Sequence, residues 1–215
     1  MAQNAKGAGV MLSLKALAKE TILSPRSAAE KIIGYGLPAK AVWTALALVV
    51  VLNAMIYALT SIVSLSFIAP EMLDTLMGDP MFRATVLLAS QPWLYGVLLV
   101  AAMVISATVL VWIGQMMGGQ ARLMTMLPLI VWLQGLRAAA QLVVLGLVLI
   151  LPGMADLVSL LFGLYGLWIL VNFIDVSQGW RSLGKSMVTM FIAGFGFMFG
   201  LSLFLLLIGA GSLGL

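Results

Sequence analysis

Five long apolar runs dominate the hydrophobic pattern of this chain, and each is close to the roughly 20 residues that a helix needs to cross a bilayer. The predicted spans are approximately residues 41–67, 93–117, 127–151, 157–176 and 186–208. The first run is long enough to be tilted or to emerge partly into the head groups. The pattern therefore predicts an all-α, polytopic membrane protein with five transmembrane helices in one bundle.

The segment 1–40 has no run of this length, and its pattern is amphipathic. Its apolar residues fall on one helical face at about 3.6 residues per turn: Val10, Met11, Leu14, Leu17, Ala18 and Ile22. Lys15 and Lys19 flank this face, as in helices that bind anionic head groups. Two arrangements fit: a helix on the membrane with these lysines as interfacial lipid contacts, or a helix packed on the protein's own cytosolic face.

Short helices are also predicted outside the five spans. Ser24 and Pro25 suit the cap and first position of a second N-terminal helix, which should end near Gly34 and Gly36. The connection 68–92 holds two further helix starts, at Ala69-Pro70 and Asp79-Pro80. We therefore expect two short amphipathic helices on the cytoplasmic face and two short interfacial helices on the other.

Charge gives the predicted orientation, because cytoplasmic connections of membrane proteins are enriched in Lys and Arg. Basic residues concentrate in the segment 1–40, at Arg122 in the second connection, and at Arg181 and Lys185 in the fourth. The first connection instead combines Arg83 with several acidic residues. The expected topology is a cytoplasmic N-terminus and a C-terminus outside.

Composition narrows the class of protein further. The chain is 63% hydrophobic and 8% charged, with a mean hydropathy of +1.18, whereas soluble domains carry about 25% charged residues. It has no Cys and no His, which removes disulfides, thiol nucleophiles and most zinc, haem and acid–base sites. Phosphate-binding and nucleophile-elbow motifs are missing too. We predict no enzymatic activity, no catalytic, cofactor or metal residues, and no nucleic-acid partner.

A polar stripe interrupts the third span. Gln134, Arg137 and Gln141 are spaced i, i+3 and i+7, which places them on one helical face. Arg137 lies ten residues after Leu127, about 15 Å into a hydrocarbon core about 30 Å thick. A guanidinium at that depth costs about 2.5–3.5 kcal/mol on insertion scales. This face should point into protein.

The fourth span offers a partner for this stripe. Asn172 and Asp175 share a face near its end, and the short connection 152–156 makes the third and fourth spans antiparallel neighbours. We therefore predict a buried polar cluster of five residues in the inner half of the bundle: Gln134, Arg137, Gln141, Asn172 and Asp175. Two interpretations stay open, a snorkelling Arg137 that fixes helix register and a substrate or ion site.

Glycine spacing gives a weaker signal. Gly114 with Gly118, and Gly196 with Gly200, form G-x-x-x-G pairs that let helices approach closely. Packing within the bundle and a homodimer face are the two interpretations.

Three segments resemble the Yip-domain (Ypt/Rab-interacting protein) family, especially its short bacterial members. They are SPRSAAEKI before the first span, the Gly-Gly turn in IGQMMGGQARL, and LFGLYGLWILVNFIDVSQGWRSLGKSM, in which a G-x-W-x-L helix leads into a short polar turn. The resemblance implies a five-span bundle with a cytosolic N-terminus. In eukaryotic relatives it implies vesicle traffic through Rab-type GTPases. This chain lacks their Asp-Leu-Tyr/Trp-Gly-Pro-type motif, so GTPase binding is not carried over.

The predicted location is therefore the cytoplasmic (inner) membrane of a bacterium. The leading hypothesis is a non-enzymatic scaffold, assembly or membrane-organising factor, with the lipid bilayer, membrane proteins or a second copy as partners. The alternative is a small transporter or channel subunit that uses the polar cluster around Arg137.

Overall fold

The computed structural model describes residues 14–212, which are helical almost throughout. The helices in this range are α1 (Leu14–Leu23), α2 (Pro25–Gly34), α3 (Ala39–Ser66), α4 (Pro70–Met77), α5 (Pro80–Ser90), α6 (Pro92–Met116), α7 (Leu123–Ile150), α8 (Pro152–Ser177) and α9 (Leu183–Ser212). Strands do not occur within residues 14–212. The all-α class is confirmed.

Of the described helices, α3, α6, α7, α8 and α9 are long and apolar enough to cross a membrane, which confirms the five spans. Among the helix starts, the largest shifts are at α7 and α8, which begin at Leu123 and Pro152 rather than at 127 and 157. Proline suits the first helical turn because its missing N–H would be unpaired there anyway. The predicted connection 152–156 is thus the first turn of α8, and Leu151 separates it from α7.

Helix α7 lies at the centre of the bundle, in contact with α3, α6 and α8, while α9 packs against α6 and α8. The fully buried core concentrates toward the end of the bundle where α6 ends and α7 begins. It includes Val42, Leu46, Met103, Ala107, Met126, Leu127, Leu129, Phe173 and Ile174. Most other apolar side chains of the spans are exposed on the outside of the bundle, as expected where lipid is the solvent.

The two N-terminal helices form a hairpin against α7 and α8. Helix α2 buries Ala28, Ala29 and Ile32. It ends at Gly34, as predicted, and Gly36 takes a left-handed conformation (φ 55°) that turns the chain toward α3. The predicted cap is not made by a side chain: Ser24 forms no capping hydrogen bond, and Pro25 at the helix start has no N–H to offer.

Helix α1 packs on the bundle through Leu17 and Thr21, which are buried. Leu14, placed on the same predicted face, is 65% exposed, and Lys15 and Lys19 are exposed as well. The first residues of the predicted amphipathic helix, Val10 and Met11, lie outside the described range.

Both predicted helix starts in the first connection are confirmed, at Pro70 and Pro80. Asp79 caps α5, since its Oδ1 accepts hydrogen bonds from the backbone N–H groups of Met81 (2.6 Å) and Phe82 (3.1 Å). The hydroxyl of Tyr57 donates to the Thr85 carbonyl (3.3 Å) and so ties α5 to α3.

Candidate functional site

A buried carboxylate near the end of α8 is the centre of the densest polar region. Asp175 is fully buried, and its Oδ2 accepts a hydrogen bond from a guanidinium nitrogen of Arg26 on α2 in an ion pair. Its Oδ1 accepts the backbone N–H of Ser182 at 2.9 Å. Arg26 also donates to the Trp180 carbonyl (3.2 Å) and lies 3.5 Å from the Glu30 carboxylate. We call these five residues the Arg26 cluster.

The turn after α8 assembles this cluster. Gly179 has φ 73°, which reverses the chain, and the Trp180 N–H donates to the Asp175 carbonyl at 2.9 Å. That reversal brings the Ser182 N–H back onto the Asp175 side chain. Lys185 then lies 5.7 Å from the centre of the Trp180 ring, within cation–π range. Both oxygens of the buried carboxylate are therefore satisfied.

A second buried side chain beside the cluster locks α8 to the turn between α6 and α7. Gln178 donates from Nε2 to the Leu110 carbonyl (3.0 Å), and its Oε1 accepts the Ala121 N–H (3.2 Å). A Cβ at Gly114 would lie 1.8 Å from the Gln178 amide, and one at Gly119 would lie 2.1 Å from it. Gly114 therefore serves packing within the bundle.

The other glycine signals have different surroundings. Gly118 has φ 84° and supplies the turn rather than a helix contact. A Cβ at Gly196 or Gly200 would meet nothing within 4 Å among the described atoms.

Besides the ion pair of Arg26, two side chains of the bundle bind the α1–α2 hairpin, and one carboxylate joins its two helices to each other. Trp132 donates from Nε1 to the Thr21 hydroxyl at 2.9 Å, and the Tyr165 hydroxyl donates to the Ile22 carbonyl. Within the hairpin, the Glu20 carboxylate accepts hydrogen bonds from Lys31 and Ser27, both at 2.7 Å. The bond from Lys31, followed by that from Ser27, lowers the pKa of Glu20.

The structure separates the five residues of the predicted polar cluster. Asp175 pairs with Arg26 instead of Arg137, and Asn172 donates to the Trp168 carbonyl of its own helix at 2.9 Å. Arg137 is exposed on the bundle surface. The predicted contact of Arg137 with Asn172 and Asp175 is thus corrected.

Helix geometry explains the separation. Arg137 lies 14 residues into α7 and Asp175 two residues before the end of α8, so their depths differ by about 18 Å at 1.5 Å per residue. That span exceeds the reach of an arginine. The longer α7 places its arginine farther from this end than a start at 127 implied.

The remaining members of the predicted cluster lie deeper in the bundle. The Gln134 carbonyl accepts a long hydrogen bond from Asn53 (3.5 Å), and Gln141 has a buried Oε1 that accepts no hydrogen bond from any described residue. Arg137 is in electrostatic range of the Tyr95 hydroxyl. Tyr95 stacks on Tyr57 with ring centroids 4.3 Å apart. We call Tyr57, Tyr95 and Arg137 the midspan group.

Sequence reasoning missed Arg26 and Gln178. A topological signal for Arg26 was available, because α2 leads into the first span and must lie at the end where the fourth span finishes. Any basic residue of α2 was thus a possible partner for Asp175. Gln178 had no such signal, since its position depends on the turn geometry at Gly179.

Comparison with known proteins agrees with the sequence motifs. The Yip1 domain profile matches residues 19–207, a range that includes the end of α1, all of α2 and the whole Arg26 cluster. Searches of curated proteins and of solved structures gave no significant match.

Proposed function

Because this chain belongs to the Yip1 domain family of multi-pass membrane proteins, we propose that it is a non-enzymatic scaffold, assembly or membrane-organising factor. The working element in this proposal is the α1–α2 hairpin. The observation that carries it is the ion pair between the partly exposed Arg26 and the fully buried Asp175, which holds the hairpin on the bundle. A fixed hairpin presents its outer residues in one orientation.

The outer surface of the hairpin suits a membrane-facing or partner-facing role. Leu14 and Leu23 are 65% and 70% exposed, and Lys15 and Lys19 are exposed beside them. Exposed apolar side chains next to cations are typical of segments that contact anionic membranes. We propose Lys15 and Lys19 as lipid contacts on this surface.

The proposed location is the cytoplasmic membrane of a bacterium, with the N-terminus inside and the C-terminus outside. The Arg26 cluster supports this orientation, because it holds α2 beside the turn that carries Arg181 and Lys185. Arg122 precedes α7 at the same end. Basic residues therefore collect at one end of the bundle, as the positive-inside rule requires.

Affinity purification from native membranes tests the assembly role. Proteins that co-purify with the wild type should be lost from a variant lacking residues 1–24 and reduced in Arg26→Ala. Arg122→Ala is the matched control, because Arg122 is a basic residue at the same end that lies outside the Arg26 cluster. Equal recovery from all four proteins contradicts the proposal.

A transporter or channel subunit is the second candidate, and the midspan group favours it. An exposed guanidinium halfway along a span is costly in lipid unless water or an anion reaches it. Solute or ion flux in proteoliposomes that disappears in Arg137→Gln and persists in Arg122→Ala would establish this candidate. Absence of flux in the wild type supports the scaffold.

A further inference from the structure

Two hydrogen bonds report how deep the α1–α2 hairpin lies along the spans. The first joins the Tyr165 hydroxyl to the Ile22 carbonyl. Tyr165 is 12 residues before the end of α8 at Ser177, about 18 Å from that end. A tyrosine side chain is shorter than half that distance. The end of α1 therefore lies beside the inner half of α8 rather than beyond its terminus.

The second hydrogen bond gives a similar depth from a different helix. Trp132 is nine residues after Leu123 in α7, about 14 Å from the helix start. Its indole N–H reaches the Thr21 hydroxyl at 2.9 Å. Helix α7 has 28 residues and is about 42 Å long, so it exceeds a hydrocarbon core of about 30 Å by about 12 Å. With this excess shared between its two ends, the Trp132 level lies about 8 Å inside one face of the core. Two separate spans tie Thr21 and Ile22 near this level.

The charged side chains from Glu20 to Lys31 are all in ion pairs, whereas Lys19, just before them, is exposed. Within the described residues, Glu20 pairs with Lys31 across the hairpin, while Arg26 pairs with both Asp175 and Glu30. Paired charges enter a region of low dielectric constant at a lower cost than isolated ones. The ionic groups from Glu20 to Lys31 are therefore compatible with a position at the boundary between head groups and acyl chains.

Two of the four apex residues, Ile22 and Leu23, are apolar and exposed, while Pro25 is buried against the bundle. Ile22 is 52% exposed and Leu23 is 70% exposed. The hydrogen bond from Tyr165 places them next to the outer surface of α8, where Leu161, Leu164 and Trp168 are 55%, 56% and 45% exposed. Since that surface belongs to a span, the apex continues a lipid-facing surface.

We infer that the α1–α2 hairpin is a re-entrant element whose apex, residues 22–25, inserts among the acyl chains of one leaflet. The ligand class is the hydrocarbon chain of a membrane lipid. This inference deepens the proposed function and rests on it for the role of the hairpin.

Depth-dependent fluorescence quenching tests the inference, and the absence of Cys makes the labelling unambiguous. A single cysteine replaces Leu23 in the full chain, carries an environment-sensitive fluorophore, and is reconstituted in phosphatidylglycerol–phosphatidylethanolamine vesicles. Leu37→Cys is the matched control, because Leu37 is also exposed (41%) but lies in the loop after α2. The quenchers are spin-labelled lipids, with the spin label near mid-chain, and aqueous iodide.

The spin-labelled lipids should quench the label at residue 23. Iodide should quench this label several-fold less than it quenches the label at residue 37. Iodide quenching of residue 23 as strong as that of residue 37 overturns the inference. If Leu23→Cys lowers the melting temperature of the purified protein, Ile22→Cys takes its place, with the same expected and overturning results.

A second variant separates depth from folding. Tyr165→Phe removes the hydroxyl that binds the Ile22 carbonyl and preserves the ring, so the label at residue 23 should become more accessible to iodide. If Tyr165→Phe leaves the iodide quenching of residue 23 unchanged, the Tyr165 hydroxyl does not hold the apex. The part of the inference that rests on this hydrogen bond is then overturned. Quenching reports the position of the apex, and co-purification reports partners. A failure of the inference can therefore be distinguished from a failure of the proposed function.

Discussion

The Arg26 cluster and the midspan group each contain one arginine of an otherwise apolar bundle, yet the two arginines have opposite surroundings. Arg26 is bound to a fully buried carboxylate near a helix end, with a backbone carbonyl and a second carboxylate beside it. Arg137 lies halfway along α7, is exposed on the bundle surface, and forms no ion pair with any described residue. In the Arg26 cluster, the buried carboxylate of Asp175 has a cationic partner. In the midspan group, the Arg137 guanidinium faces solvent or lipid.

This difference teaches that position along the helix decides what an arginine can do in such a bundle. At the end of a span, short helices and turns bring carboxylates and free backbone groups within reach. At mid-depth the neighbouring backbones are already hydrogen-bonded as helices, so few acceptors remain. Arg26 can therefore stabilise the fold, while Arg137 is available for another use.

The largest expected effect comes from deleting each guanidinium in turn. Arg26→Met should destabilise the protein by about 3–5 kcal/mol, because it leaves the buried Asp175 carboxylate without its partner. Arg137→Met should not destabilise the protein, since it removes an exposed cation that is costly in lipid and has no ion-pair partner among the described residues. Thermal unfolding of both variants in the same detergent measures the contrast. Equal destabilisation would abolish the distinction between the two regions.

Double-mutant cycles give the next largest signal and address pairing directly. Arg26→Ala with Asp175→Ala should show a coupling free energy of about 1–3 kcal/mol, whereas Arg137→Ala with Asp175→Ala should be additive within about 0.5 kcal/mol. The free energies come from reversible unfolding in mixed micelles. Coupling between Arg137 and Asp175 would restore the cluster predicted from the sequence.

Close packing beside the Arg26 cluster can be tested with glycine substitutions. Gly114→Ala should cost about 1–3 kcal/mol, because its methyl group displaces the buried Gln178 amide from the Leu110 carbonyl and the Ala121 N–H. Gly196→Ala is the control and should be neutral or slightly stabilising, since nothing lies within 4 Å of its Cβ position. The melting temperatures of the two variants measure this difference, and Gly114→Ala should have the lower one. A lower melting temperature for Gly196→Ala would show that the Gln178 side chain is not fixed in its position beside Gly114.

A smaller loss is expected when one tether of the hairpin is removed. Trp132→Phe deletes the indole donor to Thr21 and should cost about 0.5–1.5 kcal/mol, the usual net value of one hydrogen bond. Trp112→Phe is the control, because Trp112 is 63% exposed on the surface of α6. Residue 17 lies in α1 and is buried. The reaction of a cysteine at this position should speed up in the first variant and stay unchanged in the second.

The smallest effect concerns pH. The pKa of Glu20 is lowered in the folded protein by its bonds to Lys31 and Ser27, so the stabilisation is complete at neutral pH and is lost as pH falls through the lowered pKa. The hairpin should loosen only in the acid range, below the ordinary glutamate pKa. Accessibility of a cysteine at residue 17 against pH measures this, and Glu20→Gln should flatten the acid limb of that curve. A curve that Glu20→Gln leaves unchanged assigns the acid response to another group.

The five spans were predictable because each depends on a local property, a run of about 20 apolar residues. The starts of α4 and α5 were predictable for the same reason, since proline at a helix start acts locally. The partner of Asp175 was not, because a pairing between α2 and α8 depends on the lengths of all helices between them. The error of four residues at the start of α7 understated the separation of Arg137 from Asp175 by about 6 Å. The pairing itself was missed because α2 was not considered as a source of the partner.

The junction at Leu151 has a consequence for biosynthesis. Helices of 28 and 26 residues separated by one residue cannot part by more than a few ångströms at that end, so they should leave the translocation channel together as a single hairpin. Arg137 in the middle of α7 then enters the membrane alongside α8. The charged residues of α8 are Asp156 in its first turn and Asp175 near its end. A spacer inserted after Leu151 should separate the insertion of α7 from that of α8. Helix α7 would then enter the membrane alone, and its insertion would include the full free-energy cost of Arg137.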